Sequence, residues 1–75
     1  MIVINDYGKF RIDVEGRSTD GVWNAEVRIR RVLSDEKPHV EIVTCRKATA
    51  IEAERAGATW AKRWVDRHGN ERAAK

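Results

Sequence analysis

Residues 49–68 read TAIEAERAGATWAKRWVDRH, with Gly69 directly after them. Advanced by 100° per residue, Ala50, Ala53, Gly57, Trp60, Ala61, Trp64 and Val65 fall on one arc. Glu52, Arg55, Thr59, Lys62, Arg63 and Asp66 fall on the opposite one. Thr49 and Glu52 have capping-box spacing, in which the threonine oxygen and the glutamate carboxylate each take an amide that the helix start leaves unpaired. Gly69 suits the left-handed position just past a helix end. The pattern predicts one amphipathic helix from Ala50 to His68, about five turns, lying on an apolar surface that the residues before it must supply.

Those residues read as strands. In Lys9–Glu15, Phe10, Ile12 and Val14 alternate with Lys9, Arg11, Asp13 and Glu15, the period of a half-buried strand. In the stretch from Val22 to Leu33, Trp23, Ala25, Val27 and Ile29 alternate with Asn24, Glu26, Arg28 and Arg30, and the phase slips at Arg30-Arg31, where a bulge or the strand's end is expected. A third strand over 39–45 reads HVEIVTC, with Val40, Ile42 and Thr44 expected inward and His39, Glu41 and Val43 outward. The glycine-bounded segment GRSTDG, 16–21, is expected to be a relaxed hairpin loop, and SDEKP, 34–38, the second connector. Met1–Asn5 fits a short strand, an extension of the first strand or a loose arm.

Sequential strands with short connections favour a meander. The expected fold is α+β: a three-stranded antiparallel meander packed on one C-terminal helix, β-β-β-α. Residues 1–69 form one domain, and 70–75, NERAAK, lack apolar periodicity and are expected to be a flexible tail. Small residues on the inner arc let the helix approach the sheet closely, while Trp60 and Trp64 fill the space around them. Trp23, just after a loop, is placed at the edge of the core.

The 75 residues are 41% hydrophobic and include three tryptophans, one proline and one cysteine, a composition that folds rather than one that stays disordered. A single Cys45 leaves no intramolecular disulfide, which favours a reduced, cytoplasmic setting. Met1–Asn5 is too short for a signal peptide or a membrane span, and Asp6 ends its apolar run. No membrane association and no cofactor are expected.

Catalysis and metal binding find little support. His39 and Cys45 lie six residues apart on one strand, about 20 Å, too far for a nucleophile and its base. His68, at the predicted helix end, complements the helix dipole. Neither C-x-x-C, H-x-x-x-H nor D-x-D-x-D spacing occurs. Asp35-Glu36 reads as a solvated turn, and Cys45, although beside Arg46, Lys47 and a helix start, reads as a packed cysteine rather than a reactive one. The chain is not read as an enzyme.

A net charge of +3 permits nucleic-acid binding without requiring it. On the outward strand positions, Lys9, Arg11, Arg28 and Arg30 are matched by Asp13, Glu15, Glu26 and Glu41. A phosphate footprint needs clustered basic residues, so this even balance reads better as cross-strand ion pairs. Local basic spots remain at Arg30-Arg31 and at Arg46-Lys47. If nucleic acid is bound, its contacts are expected from Lys9, Arg11, Arg28, Arg30, Arg31, Arg46 and Lys47.

From Gly21 onward, the Gly21-Val22-Trp23 start, the alternating Val27-Arg28-Ile29-Arg30, the strand with an outward apolar residue, the Thr49–Ala53 cap and the Trp60, Trp64-Val65-Asp66 helix resemble small uncharacterised bacterial β-β-β-α proteins. The resemblance covers roughly fifty residues and implies that fold. Gly21, Trp23 and Val27 also resemble the G-x-W-x-x-x-V stretch of the arm-type DNA-binding domain of tyrosine recombinases and of the plant AP2 domain. That resemblance implies a sheet that reads the major groove. The sequence departs from it in strand three, which offers His39 and Glu41 where basic residues would be needed. The function expected from the residues is a small non-catalytic interaction module with an unknown protein partner or a second copy, using the uncovered sheet face or an edge strand. DNA binding through the exposed sheet face is the alternative.

Overall fold

The computed structural model describes residues 1–73, with side chains described through His68. Four strands, β1 (Ile2–Tyr7), β2 (Phe10–Thr19), β3 (Val22–Arg31) and β4 (His39–Lys47), precede one helix, α1 (Ala50–Ala73). The strands form a single antiparallel sheet in the order β1-β2-β3-β4, and α1 crosses one face, lying mainly over the central strands β2 and β3. The α+β meander is as expected, but it has four strands rather than three. The N-terminal apolar run is the additional one: Ile2 pairs with Val14 and Ile4 with Ile12, which sets both isoleucines against the core.

Both of the first two hairpins close with two-residue turns whose central residues have positive φ: Gly8 (57°) and Lys9 (70°), then Asp20 (52°) and Gly21 (80°). Two left-handed residues in succession match the right-handed twist of the flanking strands. The relaxed six-residue loop expected over 16–21 is therefore absent. β2 and β3 stay paired out to Thr19 opposite Val22, and Asp20-Gly21, a strong short-range hairpin signal, makes the turn alone.

The core is built as the alternation implied. Phe10, Ile12 and Val14 of β2, Ala25, Val27 and Ile29 of β3, and Ala53, Ala58, Ala61 and Val65 of α1 are buried. Gly57 is the point of closest approach: a Cβ there would lie 2.6 Å from Ala25 Cβ and 2.8 Å from Val14 Cγ1. Trp60 and Trp64 pack against this core from its rim and are only partly buried, while the opposite arc of α1 from Glu52 to Asp66 is exposed. β3 ends at Arg31, so the phase slip marks a strand end. Arg31 completes the inward series, with its guanidinium 4.7 Å from the Phe10 ring centre and Nε 3.3 Å from Glu36 Oε1.

The ends of α1 depart from the expected caps. The Glu52 amide donates to Thr49 Oγ1 at 3.2 Å, as the capping box requires. The Glu52 carboxylate, however, accepts the Thr49 hydroxyl at 3.0 Å instead of reaching back to the Thr49 amide. At the other end α1 continues through Gly69 to Ala73. A helical glycine costs about 1 kcal/mol relative to alanine, too little to halt a segment that goes on with Glu71, Arg72 and Ala73. Most of the stretch expected to be a tail is thus helical, and residues 74 and 75 lie outside the described residues. His68 is consequently not at the helix end. Its ring stacks on Trp64 at 3.8 Å, and its Nδ1 lies 2.8 Å from the Trp64 carbonyl oxygen.

β4 is the largest correction. Its pairing sets His39 opposite Ile29, Glu41 opposite Val27 and Val43 opposite Ala25, so the helix-facing phase is His39, Glu41 and Val43. Val40 and Ile42, expected inward, stand on the uncovered face, 48% and 53% exposed. His39 stacks on Trp64 at 4.8 Å, and Val43 packs against the core. Toward the end of β4 the register shifts between Trp23 and Ala25. There Arg46 has φ 52°, and its amide donates to Asn24 Oδ1 at 2.9 Å.

Candidate binding surface

One face of the sheet is covered by α1 and the other is open. On the open face, register fixes which side chains are neighbours. Val3 pairs with Asp13, Asp13 with Arg28 and Arg28 with Val40, so this row runs apolar, acidic, basic, apolar from β1 to β4. The next row runs Glu15, Glu26, Ile42, and the row on the other side pairs Arg11 with Arg30. The charged centre is thus flanked by apolar residues on both edge strands: Val3, 43% exposed, on β1 and Val40 with Ile42 on β4.

The charges are not evenly spread. Glu26 takes Arg17 Nε at 2.6 Å and lies 3.9 Å from Arg28, which offsets the like-charge pairing of Glu15 with Glu26. At the opposite end Arg11 and Arg30 face each other directly, an arrangement that costs stability unless something neutralises it. Arg11 Nε has Asp13 Oδ1 at 3.2 Å, whereas Arg30 takes part in no ion pair among the described residues. Arg11, Arg28 and Arg30, with Asp13 and Pro38, line one depression of about 330 Å³.

This arrangement revises the even balance read from the sequence. Glu41 belongs to the helix side of β4, where His39 Nε2 lies 2.9 Å from its Oε1, and Lys9 sits in the β1–β2 turn. Arg17 joins the open face in their place. The face carries Arg11, Arg17, Arg28 and Arg30 against Asp13, Glu15 and Glu26.

Of the seven basic residues singled out in the sequence, the structure brings three together: Arg11, Arg28 and Arg30. Arg31 is on the covered face, against Phe10 and Glu36. Arg46 and Lys47 are exposed at the far end of β4. Cys45, half-buried, has its thiol 3.7 Å from the Trp23 carbonyl oxygen and 3.9 Å from that of Ala53. His39 and Cys45 sit near opposite ends of β4, as their spacing required.

Val40 and Ile42 were missed as surface residues because β4 carries apolar side chains in both phases, Val40 and Ile42 in one and Val43 in the other. Periodicity alone does not choose between those phases. Among the described residues no group of three or more metal-ligating side chains converges, and no helix is long and apolar enough to cross a membrane. The geometry defines a two-layer α+β module with one sheet face left open. No protein-family model, curated protein or solved structure matches the chain.

Proposed function

We propose that this protein is a small non-catalytic binding module that engages a protein partner through the open face of its sheet at the β4 edge. The observation that carries this reading is the exposure of Val40 and Ile42, 48% and 53%, on an edge strand whose open-face neighbours are charged. Apolar side chains beside unpaired strand groups invite association, and a partner strand or loop laid along β4 removes both liabilities. The lone Cys45 fits work in a reducing, cytoplasmic setting. The test is affinity capture with wild-type protein and a Val40→Lys/Ile42→Lys variant whose circular dichroism is unchanged. Partners retained by the wild type and lost by the variant support the reading, and identical capture by both abandons it.

The Arg11, Arg28 and Arg30 cluster favours a second reading, contact with a nucleic-acid backbone, which is also what the resemblance to the arm-type and AP2 domains implies. In a titration with a short mixed-sequence duplex, Arg28→Ala and Arg30→Ala should each weaken binding and lower its salt slope by about one. Unchanged affinity in both variants discards this reading.

A further inference from the structure

We infer that the depression between Arg11, Arg28 and Arg30 is a site for one compact dianion, the terminal phosphate of a phosphomonoester. The site uses the cluster on which the nucleic-acid reading rests but takes a different ligand, and the two are tested apart. Register builds it. Arg11 of β2 lies directly opposite Arg30 of β3, and in the next row Asp13 lies opposite Arg28. All four line the depression, with Pro38 of the connector before β4 as an apolar wall. Three positive charges against one negative leave an excess of two.

That excess has no partner within the chain. Asp13 engages Arg11 through Nε alone, at 3.2 Å. Glu26, 3.9 Å from Arg28, is already held by Arg17 Nε at 2.6 Å. Arg30 takes part in no ion pair among the described residues, and like charges directly opposite each other cost stability. An anion between Arg11 and Arg30 removes that cost. A phosphomonoester carries about −1.5 to −2 charges and three acceptor oxygens, and the guanidinium fork matches phosphate geometry. A carboxylate, with one charge and two oxygens, leaves part of the excess unmet. The positive block is also short. Along the strands it is followed by Glu15 opposite Glu26, and across to β4 by Val40. An extended polyanion laid along the strands therefore meets carboxylates, whereas a single phosphate does not reach them.

Amide chemical-shift titrations at matched ionic strength test this, using inorganic phosphate, a short phosphoserine peptide, the same peptide unphosphorylated, and a mixed-sequence duplex. Saturable shifts at residues 11–13 and 28–30 are expected with the two phosphate probes and not with the unphosphorylated peptide. Tighter binding of the phosphopeptide than of inorganic phosphate places the group on a partner chain, and equal or weaker binding makes it a free small phosphate. Arg30→Gln should weaken binding at least about tenfold, while Arg63→Gln, the same charge change on the outer arc of α1, should leave it unaltered. The urea midpoint of Arg30→Gln should hold or rise, since a like-charge pair is lost; a fall would make Arg30 a structural residue and overturn the site. Shifts that never saturate, or that both arginine variants diminish equally, overturn it too. A duplex that binds where neither phosphate probe does keeps the nucleic-acid reading and sinks this one. Phosphate binding without duplex binding does the reverse.

Discussion

Gly57 has no room for a side chain. A methyl group there would meet the methyls of Ala25 and Val14 at 2.6 and 2.8 Å. Alanine would gain about 1 kcal/mol of helix propensity, but overpacking a filled core costs typically 1–3 kcal/mol and more where backbone must move. Since α1 would have to lift off both central strands, the packing cost wins. Gly57→Ala is expected to lower stability by about 1–2 kcal/mol, read as a lower urea midpoint with an unchanged slope. Tyr7 makes a different kind of contact. Its hydroxyl donates to Asp66 at 3.0 Å, tying β1 to α1, and that bond, followed by partial burial and the Asp66 charge, raises the phenol above its ordinary value of 10.0. The folded state therefore holds this proton more tightly than the unfolded chain. The associated stability is fully present below the ordinary value and is lost as pH rises through the raised one. Tyr7 is the chain's one tyrosine, so the near-ultraviolet absorbance of tyrosinate reports it directly. The titration midpoint should fall toward the ordinary value in Asp66→Asn, and an unmoved midpoint would remove Asp66 as the cause.

Among the elements, β4 has the apolar pattern that least determines its own orientation. It can present Val40 and Ile42, or Val43, to the helix, and a one-residue slip exchanges the two sets. Pairing with β3 and the covering tryptophan decide: His39 stacks on Trp64 and Val43 reaches the core. Threonine substitutions measure the phase with little change in strand propensity. Val43→Thr should cost about 1–2 kcal/mol, because a hydroxyl without a partner is buried. Ile42→Thr should stay within about 0.5 kcal/mol of wild type, as exposed substitutions do, when both are compared by urea unfolding. The reverse ranking would mean that β4 faces the other way. The β2–β3 hairpin shows the opposite situation. Asp20-Gly21 carries enough local information to close it, since glycine adopts φ 80° without the steric cost other residues incur.

For the molecule as a whole, one small core holds one sheet on one helix, and β1 takes part in it through Ile2, Ile4 and Tyr7. Ile4→Ala should therefore shift a single unfolding transition, coincident by tryptophan fluorescence and circular dichroism, by about 1–3 kcal/mol. Two separate transitions would show that β1 melts independently. The sequence by itself determined the amphipathic arc of α1, the inward residues of β2 and β3 and the α+β class, because each rests on a local period that burial on one side imposes. It left open whether Met1–Asn5 pairs, since four consecutive apolar residues without alternation carry no period. It misplaced the end of α1, since a glycine is a weak stop when helix formers follow it. Only the tertiary structure decided the phase of β4 and the fate of the charges. Which carboxylate neutralises which arginine depends on register between strands distant in sequence. So Arg11 and Arg30 meet across β2 and β3, Glu41 leaves the open face, and Val40 and Ile42 come to stand on it.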